Sequence, residues 1–165
     1  QCALDPLREA PAVWGDFADV CRAAPVTLVS GMFGTLGEDY SSLDSIRRTG
    51  GLVPDATWDR NWEAIQQGAR IAQELGLGLV SFHAGFLPHE ETDPAYDKLR
   101  HRICQVADVF AARNIDLAFE TGQETAATSK SLFNISVPDS SYVSSLRRDG
   151  LSDSLFRNIL TLMSI

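Results

Sequence analysis

The stretch GLGLVSFHAG, residues 76–85, decides the fold. Gly76 stops a helical pattern, a short apolar run follows, and the run ends at His83 with Gly85 just beyond it. An apolar run this short, bounded by glycines, reads as a strand buried on both faces. One helical segment later the arrangement recurs, with IDLAFE (115–120) running into TGQE (121–124). Strands alternating with helical patterns at this spacing make βαβ units and a parallel sheet. Both runs end in a group that is costly to bury, His83 in the first and Glu120 in the second.

Working outward, CALD (2–5) and PVTLVSG (25–31) read as two earlier strands, so the spacing predicts parallel strands near 2–5, 26–30, 77–82 and 115–119. Helices are expected near 11–23, 58–75 and 94–113. The first carries Val13, Phe17, Val20 and Cys21 at helical spacing. The second carries Trp62, Ile65, Ala69, Ala72 and Leu75 on one stripe, with charged residues opposite. Thr57 is its expected N-cap and Gly76 its stop. The third has Asp93 as N-cap, Pro94 in the favoured first position, and Leu99, Ile103, Val106, Ala107 and Phe110 facing the core.

One connection is too long for a simple βα turn. Residues 31–57 contain a short helical pattern (Ser42 to Arg48, stopped by Gly50–Gly51) and follow a strand's C-terminal end. Long loops in compact domains are commonly functional, and α/β proteins carry their sites at that end of the sheet. Glu38, Asp39, Arg47 and Arg48 lie in this loop, which is placed to cover a substrate; equally, a solvated charged loop would carry such residues.

The composition excludes several classes. With 14 basic and 22 acidic residues among 165, the formal net charge is −8, unlike a protein held to nucleic acid by phosphate contacts. No stretch approaches the roughly 20 apolar residues of a membrane helix. Three widely spaced cysteines without a C-x-x-C read as reduced thiols in a cytoplasmic protein, with Cys104 on a core-facing stripe. The chain begins with Gln1 rather than Met, so nothing follows about a signal segment.

A lone His at a strand end is often a hydrogen-bonded core residue. A carboxylate there needs a cation, a metal or several donors, and the two together at one sheet edge point to a site. Gly85 and Gly122 beside them allow close backbone approach. His89 and His101 are expected in solvent, the latter among Lys98, Arg100 and Arg102.

VSFHAGFLPHE (80–90) and LAFETGQETA (117–126), with VSGMFGTLGEDY (29–40) and TGGLVPDATW (49–58) before them, resemble the xylose-isomerase-like superfamily. They are most similar to its sugar phosphate isomerase/epimerase branch, over about residues 2 to 127. The resemblance implies a (β/α)8 TIM barrel with a divalent metal (Mn2+, Mg2+, Co2+ or Zn2+) at its C-terminal mouth. It also implies a small-molecule sugar or sugar phosphate as substrate and proton transfer next to a carbonyl. Glu120 matches the metal-ligating carboxylate after the fifth strand, and His83 a position after the fourth that faces metal or substrate. Both are therefore candidate catalytic and metal residues, with Gln123, Glu124 and Arg47 as substrate contacts.

The family's further ligands, an Asp, a His and a Glu from strands six to eight, have no matching positions here. Such a barrel needs ~250 residues. About four βα units are expected in 1–127, followed by an irregular Ser-rich tail over 128–165 whose one helical pattern lies near Leu155–Leu162. The expectation is a partial barrel, with a shifted reading frame after about Ala127 as one source of the tail. Such a chain would be impaired in turnover and prone to self-association through open sheet edges. Two other readings remain: a relative of the metal-dependent apurinic endonucleases, which have a similar H-x-G and strand-end Glu, and a non-catalytic half-barrel. Three His and a net charge of −8 argue against the endonuclease.

Overall fold

The protein, described here from a computed structural model, has placements for residues 1–86, 88, 92–121, 143–145 and 159–163. In chain order the elements are β1 (Cys2–Ala3), α1 (Asp5–Glu9), α2 (Pro11–Trp14), α3 (Phe17–Ala23), β2 (Gly31–Phe33) and α4 (Leu43–Thr49). Then follow α5 (Asp55–Glu74), β3 (Leu79–His83), α6 (Pro94–Ala111), β4 (Asp116–Thr121), β5 (Val143–Ser145) and β6 (Ile159–Met163). The sheet order is β1-β2-β3-β4-β6-β5, and β1 to β4 are parallel to their neighbours throughout.

The core lies between this sheet and α5 and α6. Val80, Phe82 and Leu117 point to that face and meet Ile65, Ala69 and Ala72 of α5 and Leu99, Ile103, Val106 and Phe110 of α6. Phe33 stacks on Phe82 (centroids 4.9 Å apart) and on Phe110 (5.8 Å), so three aromatic rings tie β2, β3 and α6 together. The α6 stripe is thus buried throughout, and on α5 Ile65, Ala69 and Ala72 are buried with Trp62 and Leu75 partly so at its ends. The expected caps hold for α6, where the Asp93 side chain accepts from the Ala95 amide at 2.8 Å and Pro94 opens the helix. Gly76 ends α5 in a left-handed conformation, with the Leu77 amide bonding back to the Ala72 carbonyl at 3.0 Å.

Several expectations are corrected. The strand expected at 26–30 is displaced to Gly31–Phe33, and Val26 and Val29 are exposed. A β-branched run signals extended chain but not where pairing starts. Pairing begins only at Ser30, whose carbonyl accepts from the Cys2 amide at 2.9 Å, because β1 offers only Cys2–Ala3. The helix expected over 11–23 is broken at Gly15–Asp16, and Val13 and Val20 face solvent instead of the core. α5 starts at Asp55 with Pro54 at the N-cap position, so Thr57 lies inside the helix. The irregular tail also contains strands. Ile159–Met163, overlapping the stretch expected to be helical, is β6 and pairs parallel to β4, with β5 antiparallel beyond it. Cys104 is only half-buried. Among the described residues, no helix is long and apolar enough to cross a membrane.

Candidate functional site

In the register of β3 and β4, His83 is paired directly with Glu120. Paired residues on neighbouring strands share a sheet face, and alternation puts both on the face opposite Phe82. They close the C-terminal ends of the two strands, and the Ala84 amide bonds to the Glu120 carbonyl at 3.3 Å just beyond. On the same face, Ser81 accepts a hydrogen bond from Gln1 Nε2 at 2.8 Å.

The long loop between β2 and α5 folds over this edge. Its start is tied down twice: the Gly34 amide bonds to Asp5 Oδ2 and the Leu36 amide to Asn61 Oδ1, each at 2.7 Å. Its middle is α4, capped by Ser42, whose side chain accepts from the Ser45 amide at 3.0 Å. Its end lies backbone against backbone on the residues after His83, with the Leu52 amide donating to the Ala84 carbonyl at 3.2 Å. Gly51 permits that approach. Its φ is +72°, and a Cβ there would sit 2.1 Å from the Ala84 carbonyl oxygen.

The loop delivers Glu38 to His83. Glu38 Oε1 lies 3.6 Å from His83 Nδ1, with the two side chains 11% and 19% exposed respectively. Three groups donate to the carboxylate: Thr35 Oγ1 at 2.7 Å, the Gly51 amide at 3.1 Å and the Tyr40 hydroxyl at 2.9 Å. Burial alone would push the Glu38 carboxyl up, but the His83 ring, Thr35, Gly51 and Tyr40 together hold it down at about 2. The Tyr40 phenol moves the other way, to about 12. Its residue is 69% exposed, yet desolvation of the hydroxyl end, the bond to Glu38 and the charges of Glu38 and Glu120 all disfavour ionisation.

A pH dependence follows. Glu38 has its folded-state pKa below its ordinary value of 4.5, so its contribution to stability is complete above about pH 4.5. It is lost as pH falls towards about 2. Acid titrations of unfolding free energy should show this limb in the native chain and lose it in Glu38→Gln. An unchanged acid limb in that variant would mean the carboxylate is not held as described.

Arg47 does not join this cluster through its contacts. It lies 5.2 Å above the Phe86 ring and 3.8 Å from Asp44 on its own helix. Gln123, Glu124, Gly122 and His89 fall outside the described residues. His101 is exposed as expected, whereas its neighbour Arg102 is not. Arg102 is 8% exposed, donates to the Leu52 and Val53 carbonyls (2.8 and 2.9 Å) and to Asp55 (2.6 Å), and stacks 4.5 Å above Trp58. It latches the loop's end to α6. Sequence reading also passed over Thr35 and Tyr40. Their only signal was two hydroxyl residues within three positions of Glu38.

Among the described residues, no group of three His, Cys, Asp or Glu side chains is placed to hold a metal ion. Glu120 and His83 are donors of suitable chemistry at a shared edge. As a pair they are fewer than the three protein ligands usual for a catalytic ion.

Parallel βα units with polar groups at the strand C-termini, helices packed on one sheet face and a long loop over the strand ends define a barrel-type α/β protein. The chain belongs to the xylose isomerase-like TIM barrel family, whose family model matches residues 8–135. No curated protein matches it. Among solved structures it is similar to a xylose isomerase domain protein from Planctomyces limnophilus (27% identity, TM-score 0.68, covering 73% of this chain and 42% of that one). It also resembles D-psicose 3-epimerase in the presence of D-fructose (11%, 0.58, 98% and 51%). A third is a xylose isomerase-like TIM barrel protein from Mycobacterium smegmatis in complex with magnesium (13%, 0.52, 74% and 42%). The last two likenesses are of fold alone. The chain spans about half or less of the length of each of the three.

Proposed function

We propose that this chain carries part of a sugar or sugar phosphate isomerase/epimerase site, in which Glu120 moves a proton at a carbon next to a carbonyl. The observation that carries the reading is the pairing of His83 with Glu120 at the C-terminal edge of adjacent parallel strands. Membership of the xylose isomerase-like family, and the sugar and magnesium named for its structural neighbours, support the substrate and cofactor classes. In this reading residues 1–127 form the barrel part and 128–165 a divergent tail.

Glu120 and His83 would hold a divalent ion (Mn2+, Mg2+, Co2+ or Zn2+). When bound, such an ion supplies charge stabilisation to the carbonyl and hydroxyl oxygens of the sugar. Glu120 would take the proton from the carbon and, in an isomerisation, return it to the neighbouring carbon on the same face. In an epimerisation the proton added to the opposite face has to come from a second acid on that side. A positioned base of this kind typically contributes about 10²–10⁴-fold. Gln123 and Glu124 orient the sugar hydroxyls, and Arg47, reaching over Phe86, meets a phosphate group. The loop from Gly34 to Leu52 excludes water from the strand ends.

The test is Mn2+ titration of the whole chain, followed calorimetrically, beside epimerase assays on ketoses and their phosphates. Weak Mn2+ binding is expected, falling about tenfold or more in Glu120→Gln, the scale on which single changes around a metal act. Equal affinity in that variant would end the metal reading. Turnover is expected to be negligible with two strong ligands. Turnover abolished in Glu120→Gln would instead show the site completed by another group, such as one from a second copy joined through the sheet edges.

A further inference from the structure

His83 has a second distinctive neighbour besides Glu120, and it comes from outside the sheet. The Glu38 carboxylate is buried beside the imidazole and gripped on both oxygens. Oε1 accepts from Thr35 and from the Gly51 amide, which it shares with Thr35 Oγ1, and Oε2 accepts from Tyr40. Two of these donors are themselves positioned. Gly51 is pinned against Ala84, and Thr35 lies between the anchored amides of Gly34 and Leu36. A carboxylate fixed this way cannot swing away from the ring without breaking several hydrogen bonds at once. It faces Nδ1, not Nε2.

We propose that Glu38 is the positioning residue of the site, holding His83 as the Nδ1–H tautomer so that the lone pair lies on Nε2. An ionised carboxylate beside one ring nitrogen favours the proton on that nitrogen, and the partner of one nitrogen sets what the other can do. The pair stands at 3.6 Å, within ion-pair range but beyond a normal N–H···O bond, so the carboxylate acts on the ring through its charge. Glu38 does not itself touch substrate. It determines that Nε2 is the atom able to ligate a cation or accept a proton. This deepens the reading of His83 as a site residue and rests on it.

The experiment uses the full chain with 15N-labelled histidine and long-range 1H–15N correlation spectra at a pH where the ring is neutral. His83 is assigned by comparison with His83→Asn. The expected spectrum has protonated Nδ1 and unprotonated Nε2, with the population shifting towards Nε2–H in Glu38→Ala. An Nε2–H ring in the native chain, or an unshifted tautomer in folded Glu38→Ala, overturns the proposal. If Glu38→Ala does not fold, the native spectrum decides alone. Substoichiometric Mn2+ separates this inference from the functional reading. Broadened His83 signals with an Nε2–H tautomer refute only the role of Glu38. Unbroadened signals with an Nδ1–H tautomer refute the metal reading and leave Glu38 as the partner that sets the ring.

Discussion

Gly51→Ala is expected to destabilise the protein more than any other single-methyl addition to the loop. A residue with a Cβ at φ +72° meets a left-handed penalty of about 1–2 kcal/mol. The new Cβ would also lie 2.1 Å from the Ala84 carbonyl oxygen and 2.3 Å from the Gly85 nitrogen, both backbone atoms that cannot rotate away. Relieving such an overlap typically costs about 1–3 kcal/mol. The sum, roughly 2–5 kcal/mol, is a large part of the 5–15 kcal/mol that folds a domain. The loop's cheapest escape is to lift from β3, which breaks the Leu52 to Ala84 bond and withdraws the Gly51 amide from Glu38. Urea unfolding should therefore show a lower midpoint, and amide exchange at Leu52 should quicken. A variant with native stability and native exchange at Leu52 would show that the loop does not rest on the strand end.

The second large effect is expected at Arg102. Replacing it with alanine leaves the Leu52 and Val53 carbonyls without their guanidinium donor, and Leu52 is fully buried. An unmet buried acceptor costs about 1–3 kcal/mol, and loss of the stack on Trp58 adds up to about 2 kcal/mol. The Asp55 partner adds little, because its carboxylate is exposed and regains water. The expected loss is roughly 1–5 kcal/mol. Arg102→Lys should recover only part of it, since an ammonium keeps the charge but cannot fork between two carbonyls and Asp55 while stacking on an indole. Equal destabilisation by the Lys and Ala variants would assign the effect to the planar fork alone. No loss in either would remove the latch from the account.

The two positions differ in how far they could be read from the sequence. Gly50–Gly51 was legible as the stop of a short helix, because glycine ends helices for local reasons. What Gly51 touches was not legible, since Ala84 lies on a different strand. The role of Arg102 was not legible at all. It stands in a run of charged residues on α6, and only the path of the loop carries two carbonyls and Asp55 to it. A charged residue is normally expected in solvent unless paired, and the partners come from some fifty positions earlier in the chain.

The sequence by itself determined the alternation of strands and helices, the parallel sheet, the buried faces of α5 and α6 and the caps of α6. It also determined that His83 and Glu120 end neighbouring strands. Each of these follows from periods of two and 3.6 residues and from local capping chemistry, which act within a few positions of the chain. Only the tertiary structure decided where β2 begins, that Val13 and Val20 face outward, and that 159–163 joins the sheet. It also decided that Glu38, rather than Arg47, is the loop residue that meets His83. Those outcomes depend on the register of one strand against another and on the route of a long loop. Such placements are set by which distant groups can pack and exchange hydrogen bonds, and no local pattern encodes them.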